Sequence, residues 1–420
     1  MLEPGTTRPR LAALERFRTH TFASLYRHPN YRLYWFGALG SNIGTWVQMV
    51  AQGWLVYQLT DSALYLGAVG FASSIPTLFL SLFGGVLADR FERRKLMIFT
   101  QTASMLLAFA LAYLTMSGVV VVWHVATIAF LNGVVNSLNA PVRQTIISDL
   151  VTREDLSNAI AVNSAQFQTS RMLGPAIAGV LVAAVGAGWC FLINGLSFLL
   201  VIGALVAMKL PLLAPRQARS SLLENVMGGL AYVRGEPVIL LLVGLAAIPS
   251  LFAMPYQSIM PAFASAVLGV GADGLGLLMS ASGLGALVGA LGVASLRQGA
   301  PRGRLMILAL LALGVTLVAF AGSNSLWLAS AMLVGVGISS MAYNALNQTY
   351  LQTLASDEMR GRVMSLLTLT TFGFQPFGQL EMGSVAEFAG PGVAVGIGGV
   401  VCACLAAVTL VRRSAVARLA

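Results

Sequence analysis

Twelve apolar runs of about twenty residues or more leave most of this chain a single compatible solvent, the interior of a lipid bilayer. They fall at approximately 31–59, 62–88, 96–116, 119–142, 158–185, 188–208, 237–260, 274–296, 305–322, 325–350, 363–386 and 391–411. As an α-helix, a run of roughly 20 residues crosses about 30 Å of hydrocarbon, and helices keep every backbone polar group satisfied there. Charge density agrees: 10% of the 420 residues are charged, against roughly 25% in soluble domains. No small-residue cleavage site follows a short apolar core near the start, so no cleavable leader is expected. Cys190, Cys402 and Cys404 all lie inside apolar runs and read as small packing residues.

The net charge of +10 would suit a nucleic-acid surface, but the cations are distributed otherwise. Of 25 Lys and Arg, 24 lie in the N-terminal segment through Arg32, in every second loop, in the middle segment and in the C-terminal tail. The loop between the second and third spans holds Arg90, Arg93, Arg94 and Lys95, and the one between the eighth and ninth holds Arg297, Arg302 and Arg304. The alternate loops hold none, and the remaining cation, Arg171, lies within the fifth span. Basic residues in short loops stay on the cytoplasmic side. The reading is therefore a multi-pass protein with both termini cytoplasmic, in a bacterial cytoplasmic (inner) membrane, with the lipid bilayer as partner and no nucleic acid.

Residues 209–236 form the one long polar stretch between spans. Leu222, Leu223, Val226, Leu230 and Val233 recur there at helical spacing, as in a short amphipathic helix on the membrane surface. The expected organisation is a tail (1–30), a six-helix bundle (31–208), this linker (209–236), a second six-helix bundle (237–411) and a tail (412–420). One constant offset along the chain places Gly40 on Gly244, Gly85 on Gly289, Arg93 on Arg297, Gly174 on Gly378 and Gly179 on Gly383. Parallel six-span repeats are a transporter architecture with the binding site between the halves, near mid-membrane.

The sharpest local motif is Gly85-Val-Leu-Ala-Asp89-Arg90-Phe-Glu-Arg93-Arg94-Lys95. It resembles the signature loop of the major facilitator superfamily, with Glu92 where that family usually has Gly. The resemblance implies an all-α fold of twelve transmembrane helices in two pseudo-symmetric six-helix bundles. It also implies a cytoplasmic latch in which Asp89 faces the start of the eleventh helix and Arg90 or Arg93 pairs with Asp149. Arg171-Met-Leu-Gly174-Pro175-Ala-Ile-Ala-Gly179 places a kink in the fifth span and resembles an element of drug and metabolite antiporters. With Asn139-Ala-Pro141-Val-Arg143-Gln-Thr-Ile-Ile-Ser-Asp149, Glu154-Asp-Leu-Ser-Asn158 and Trp46-Val-Gln-Met-Val-Ala-Gln52-Gly-Trp54, the chain resembles the transmembrane secretion effector branch, which includes enterobactin-exporter-like and macrolide-efflux-like proteins. The arginine that often accompanies proton coupling in the fourth span of such antiporters is absent, Ala129 and Asn132 occupying that region.

Polar side chains inside lipid spans face protein or water, so their positions mark a cavity. The candidates are Gln48 and Gln52 in the first span, Asn132 and Asn136 in the fourth, Arg171, Gln257 in the seventh, Asn344 in the tenth and Gln375 in the eleventh. The resemblance implies that the first, fourth, seventh and tenth helices surround that cavity, while some amides serve as helix–helix contacts. Arg171 is read as holding an anionic or carbonyl-rich group of the cargo, and Glu381 as the proton-carrying or cation-binding group. The expected function is secondary active export of an amphiphilic small molecule (siderophore, drug or metabolite), coupled to protons, by a monomer without cofactor, catalytic residues or metal. An uptake transporter or lysolipid flippase of the same fold, and a non-transporting receptor or scaffold, are the alternatives. A cysteine introduced at Gly118 or Ser323 is predicted to react with an impermeant thiol reagent applied to intact cells; reaction only from the cell interior would overturn the orientation.

Overall fold

In this computed structural model the described residues are 21–90, 92–208, 222–296 and 301–411, and the side chains at 81–90, 141, 144 and 222–227 are not among them. Residues 1–20, 209–221, Arg297 and 412–420 lie outside this set, as do the side chains of Asp89 and Arg90 and the surroundings of Gly85. Every described element is helical. The first bundle comprises α1 (Pro29–Thr60), α2 (Ala63–Arg90), α3 (Arg93–Met116), α4 (Val122–Leu150), α5 (Leu156–Val185) and α6 (Ala187–Ala207). The second comprises α7 (opening as Pro237–Ile248), α8 (Ala272–Ala294), α9 (Arg302–Ala321), α10 (Leu326–Leu354), α11 (Arg360–Ala389) and α12 (Pro391–Val411).

Among the described residues, nine helices are long and apolar enough to cross a bilayer by length and composition; α1, α4 and α11 are as long but more polar. The bundle surface is apolar, with Phe79, Val180 and Leu291 exposed to 62%, 66% and 64%. Side chains so exposed fit lipid as the surrounding solvent, and this is a multi-pass membrane protein. Trp123 and Trp327, near the starts of α4 and α10, are exposed at the end of the bundle remote from the termini, where an aromatic belt is expected.

The seventh span runs further than its apolar stretch indicates and is broken. After Ile248 it passes through a π turn (Pro249–Ala253), a 3-10 turn (Met254–Gln257), a short helix (Met260–Ala262) and a second π turn (Phe263–Val267). Pro249, Pro255 and Pro261 each remove a backbone donor and clash with the preceding turn, and π and 3-10 turns accommodate the mismatch. Irregular backbone at membrane depth is tolerated where it is buried in protein or lines a cavity.

The halves repeat the same packing. Gly179 of α5 lies against Ala272, Asp273 and Gly276 of α8, and Gly383 of α11 against Ala63 and Gly67 of α2. Within each half, Gly133 of α4 abuts Ser73 of α2 and Gly337 of α10 abuts Ser282 of α8. Gly186 and Gly390, paired by the same sequence offset as Gly179 and Gly383, both adopt positive φ (88° and 90°). Each is the single residue linking two adjacent helices, in a conformation L side chains rarely adopt. The constant offset does not hold throughout: by these contacts Gly67 corresponds to Gly276 and Ser73 to Ser282, a slightly larger separation along the chain. The match of Gly85 with Gly289 is therefore not a structural equivalence. The shift is already present in the seventh span, since Gly378 of α11 lies against Leu251 and Pro255 where Gly174 of α5 lies against Ile43 and Trp46.

Two ends differ from expectation. The segment before α1 is anchored: a short helix (Ala23–Arg27) docks on the start of α5, Ser24 donating to Asn158 (2.8 Å) while Arg27 and His28 contact Asp155 at 3.1 and 2.9 Å. Ser323 is fully buried, its hydroxyl donating to the Phe320 carbonyl, so exposed Asn324 replaces it as the labelling position.

A Cβ at Gly276 would sit 2.5 Å from the Pro175 carbonyl oxygen, and one at Gly383 2.8 Å from that of Ala63. Gly276→Val and Gly383→Val are each expected to destabilise this packing by about 1–3 kcal/mol and to lower the melting temperature in detergent. Gly203→Val, at a glycine with open space around it, is the control expected to leave it unchanged.

Candidate functional site

Between the halves lies a cavity of about 180 Å³ whose walls come from α1, α2, α7, α8 and α11. Its polar groups are Gln52, Ser73, Gln257, Ser258, Gln375 and Gln379, interleaved with Met49, Val56, Leu66, Val69, Met254, Leu275 and Met279. Gln375 and Gln379 stand one turn apart on α11, and Ser74 donates to Gln379 Oε1 at 3.0 Å, joining the two halves at the rim. Gln257 comes from the 3-10 turn of broken α7. Flexible, polarisable thioethers and amides can receive an apolar body and its carbonyls or hydroxyls without fixing one chemical shape.

A smaller recess adjoins it, sharing Gln257 and Met279, and is lined by Trp46, Arg171, Pro175, Tyr256 and Ser282. The Arg171 guanidinium carbon lies 5.9 Å from the centre of the Trp46 ring, within cation–π range. Gly174, next to Pro175 in the recess wall, is pressed against Trp46 and the Ile43 carbonyl, which fixes α5 close to α1. Among the described residues no carboxylate lies within ion-pair distance of Arg171. Tyr256 and Ser282 hydroxyls bond each other at 2.8 Å across α7 and α8.

Gln52, Gln257 and Gln375 thus line the larger cavity, and Arg171 lines the adjoining recess, with Gln257 common to both. The other expected residues do not. Gln48 is buried and accepts a 2.6 Å hydrogen bond from Asn194 of α6; its position, about 40° around α1 from Gln52, turns it into the first bundle. Asn344 donates to the Ser340 carbonyl of its own helix. Asn132 and Asn136 line neither space, Asn136 being exposed. Of the first, fourth, seventh and tenth helices, α1 and α7 contribute to this cavity, together with α2, α8 and α11, which meet there across the halves. Glu381 also lies outside both linings, on a different face of α11 from Gln375 and Gln379; its Oε2 is buried without a hydrogen-bond partner among the described residues. Gln379, Ser73 and Ser258 escaped the sequence reading, though Gln379 follows Gln375 by one helical turn, the spacing that singled out Gln48 and Gln52.

At the face that carries the termini, Arg93 at the start of α3 pairs with Asp149 at the end of α4 (2.5 Å), both partly buried. Lys95 pairs with Glu92. Asn139 accepts from Thr100 of α3 at 3.3 Å and serves as a contact between helices.

Comparison with known proteins adds three findings. The family model described as transmembrane secretion effector matches residues 19–419. The staphyloferrin A transporter of Staphylococcus aureus is 24% identical over 83% of this chain and 87% of its own length, and the multidrug efflux pump Tap of Mycolicibacterium fortuitum is 28% identical over 84% and 88%. A crystal structure of a mutant nucleoside transporter NupG superposes with a TM-score of 0.76 at 14% identity, covering 92% of this chain and 100% of that one, a likeness of fold.

The Gln48–Asn194 pair is expected to be structural. Asn194→Ala would leave a buried amide unpaired, costing about 1–3 kcal/mol; the expected outcome is a lower melting temperature in detergent with the order of preference among transported compounds unchanged.

Proposed function

The chain belongs to the transmembrane secretion effector family of the major facilitator transporters, and from that premise we propose that it exports an amphiphilic small molecule bearing an anionic or carbonyl-rich group. It is a transporter rather than an enzyme. The observation that carries the reading is one space walled by both halves, apolar and amide-lined, with the Arg171 guanidinium lacking a described protein counter-ion at its edge. A cation inside a span is costly to leave uncompensated, and an anionic or carbonyl-rich cargo group supplies the compensation. Relatives named for a siderophore and for drugs support a cargo of this amphiphilic type.

Both termini are assigned to the cytoplasm, on the one-sided distribution of Lys and Arg. The helix pairs α2–α11 and α5–α8 meet in the segments remote from the termini, so this arrangement is closed to the outside and corresponds to an inward-facing state. About 180 Å³ is less than the roughly 300–1,000 Å³ of drug-sized sites; a cargo of that size requires the cytoplasmic side to part further than in this arrangement. Arg93 and Asp149, with Asp89 and Arg90, form the cytoplasmic latch that the opposite state uses. Export is coupled to protons through Glu381, which acts on the cavity through movement of α11 rather than by touching cargo. One chain builds the complete cavity, so a monomer suffices.

Transport in proteoliposomes tests the reading. Arg171→Ala is expected to lower transport of carboxylate-bearing amphiphiles by about tenfold or more, the effect of removing a charged hydrogen bond worth roughly 1.5–3 kcal/mol, with neutral amphiphiles affected far less. Glu381→Gln is expected to remove the dependence on an imposed pH gradient. Equal loss for charged and neutral cargo would refute the role given to Arg171, and a retained gradient response would refute that of Glu381.

A further inference from the structure

On the last turn of α11, beyond the apolar stretch, Glu387 reaches across to the other half. Its Oε2 accepts a hydrogen bond from the Ser62 hydroxyl at 2.8 Å and another from the Leu64 backbone N–H at 3.1 Å. Leu64 is the second residue of α2, and the first N–H groups of a helix have no partner within it. A capping side chain usually comes from the residue that opens the helix. Here Ser62 occupies that place: its hydroxyl oxygen accepts a long 3.5 Å bond from the Tyr65 N–H while its proton goes to Glu387, and the carboxylate of the opposite half takes the Leu64 N–H. The positive end of the α2 dipole favours the anion further.

The contact is specific to one of two equivalent seams. One turn earlier, Gly383 lies against Ala63 and Gly67, and Gly67 against the Gln379 carbonyl, which brings α11 close enough for the carboxylate to reach. At the α5–α8 seam, packed through Gly179 and Gly276 in the same manner, the offset that pairs Gly179 with Gly383 pairs Ala183 with Glu387, and α8 carries its own Asp273 in its first turn. Packing of such a seam therefore needs no carboxylate from the partner half.

We infer that Glu387 is the external latch of the transporter, an anion on α11 that holds the N-terminus of α2 and thereby the outward-closed state. This rests on the assignment of this face to the outside. Opening the outer side breaks both hydrogen bonds and leaves the end of α2 to water. The Leu64 N–H and the Ser62 hydroxyl hold the Glu387 carboxyl below its ordinary range while the latch is shut; once released, it returns to the ordinary glutamate range. The closed state is therefore favoured at neutral external pH, and that advantage fades as external pH falls through the ordinary carboxylate range toward the lowered value. Tyr57 of α1 is within electrostatic reach of Glu387, and it also neighbours Asp61 of the α1–α2 turn and Ser265 of α7. Among the described residues, no cation is one of the groups acting on Glu387.

The test is external thiol labelling of Ser73→Cys, in the cavity beneath the seam, in the full chain with its native cysteines replaced, in intact cells. Glu387→Gln is expected to raise the labelling rate about two- to fivefold, the range for an exposed charge at a helix end, and Ser62→Ala to raise it less. Lowering external pH from 7 to 4 slows thiolate chemistry at every cysteine, so the Ser73→Cys rate is read relative to that of Val119→Cys at each pH; this ratio should rise on acidification in the parent and stay nearly constant with Glu387→Gln. Val119→Cys, in an exposed loop of the same face, reports the orientation: if it is not labelled from outside, the assignment of the faces falls. If it is labelled and neither substitution nor acidification changes the Ser73→Cys rate relative to that of Val119→Cys, the latch is refuted.

Discussion

Direct approach of helix backbones at glycine is the constraint on which the remaining geometry depends. In lipid no hydrophobic driving force separates helix–helix from helix–tail contact, so close packing through small residues does the work of association. Gly179 on Gly276 and Gly67 on Gly383 bring α5 to α8 and α2 to α11 closely enough for carbonyls of one helix to touch Cα atoms of the other. That proximity sets where the cavity ends, lets Ser74 reach Gln379 and lets Glu387 reach Ser62. At these glycines the contact is backbone on backbone, while side chains such as Ser74 with Gln379 and Phe71 with Phe377 meet beside it.

Polarity is placed where it costs least. The three long helices least suited to lipid by composition are α1, α4 and α11; α1 and α11 supply Gln52, Gln375 and Gln379 to the cavity. The apolar α9 and α12 pack on one another through Gly314 and Gly399 and line neither space. Two amides that do not face the cavity find partners within the first bundle, Gln48 with Asn194 and Asn139 with Thr100. The guanidinium of Arg171 differs from these: its described contact is the face of Trp46, which leaves its hydrogen-bonding edge available.

The two halves are similar without being identical, and the differences fall at the site. Broken α7 faces continuous α1, so Gln257 enters from a 3-10 turn while Gln52 stands on a regular helix. The recess with Arg171 lies on the α5–α8 side, and its counterpart on α11, by the offset that pairs Gly174 with Gly378, is Gln375. Conversely, the trans-capping Glu387 lies on the α2–α11 side alone. A cavity with a cationic wall opposite an amide wall can orient an amphiphile that a symmetric one could not.

What the sequence determined by itself was the bilayer, the helical spans and the family, because hydrocarbon thickness imposes a strong one-dimensional pattern and the loop after the second span carries a distinctive one. Gln52, Arg171, Gln257 and Gln375 were legible as cavity residues because a polar group in a span needs a protein or water neighbour. The tertiary structure alone decided which neighbour. Gln48 and Gln52 share a spacing and a chemistry, yet one meets Asn194 and the other the central space. A small rotation about the helix axis, together with what α6 presents, sets that outcome. The larger offset between α2 and α8, the burial of Ser323 and the reach of Glu387 to α2 likewise depend on how the helices pack in three dimensions, which no local pattern along the chain encodes.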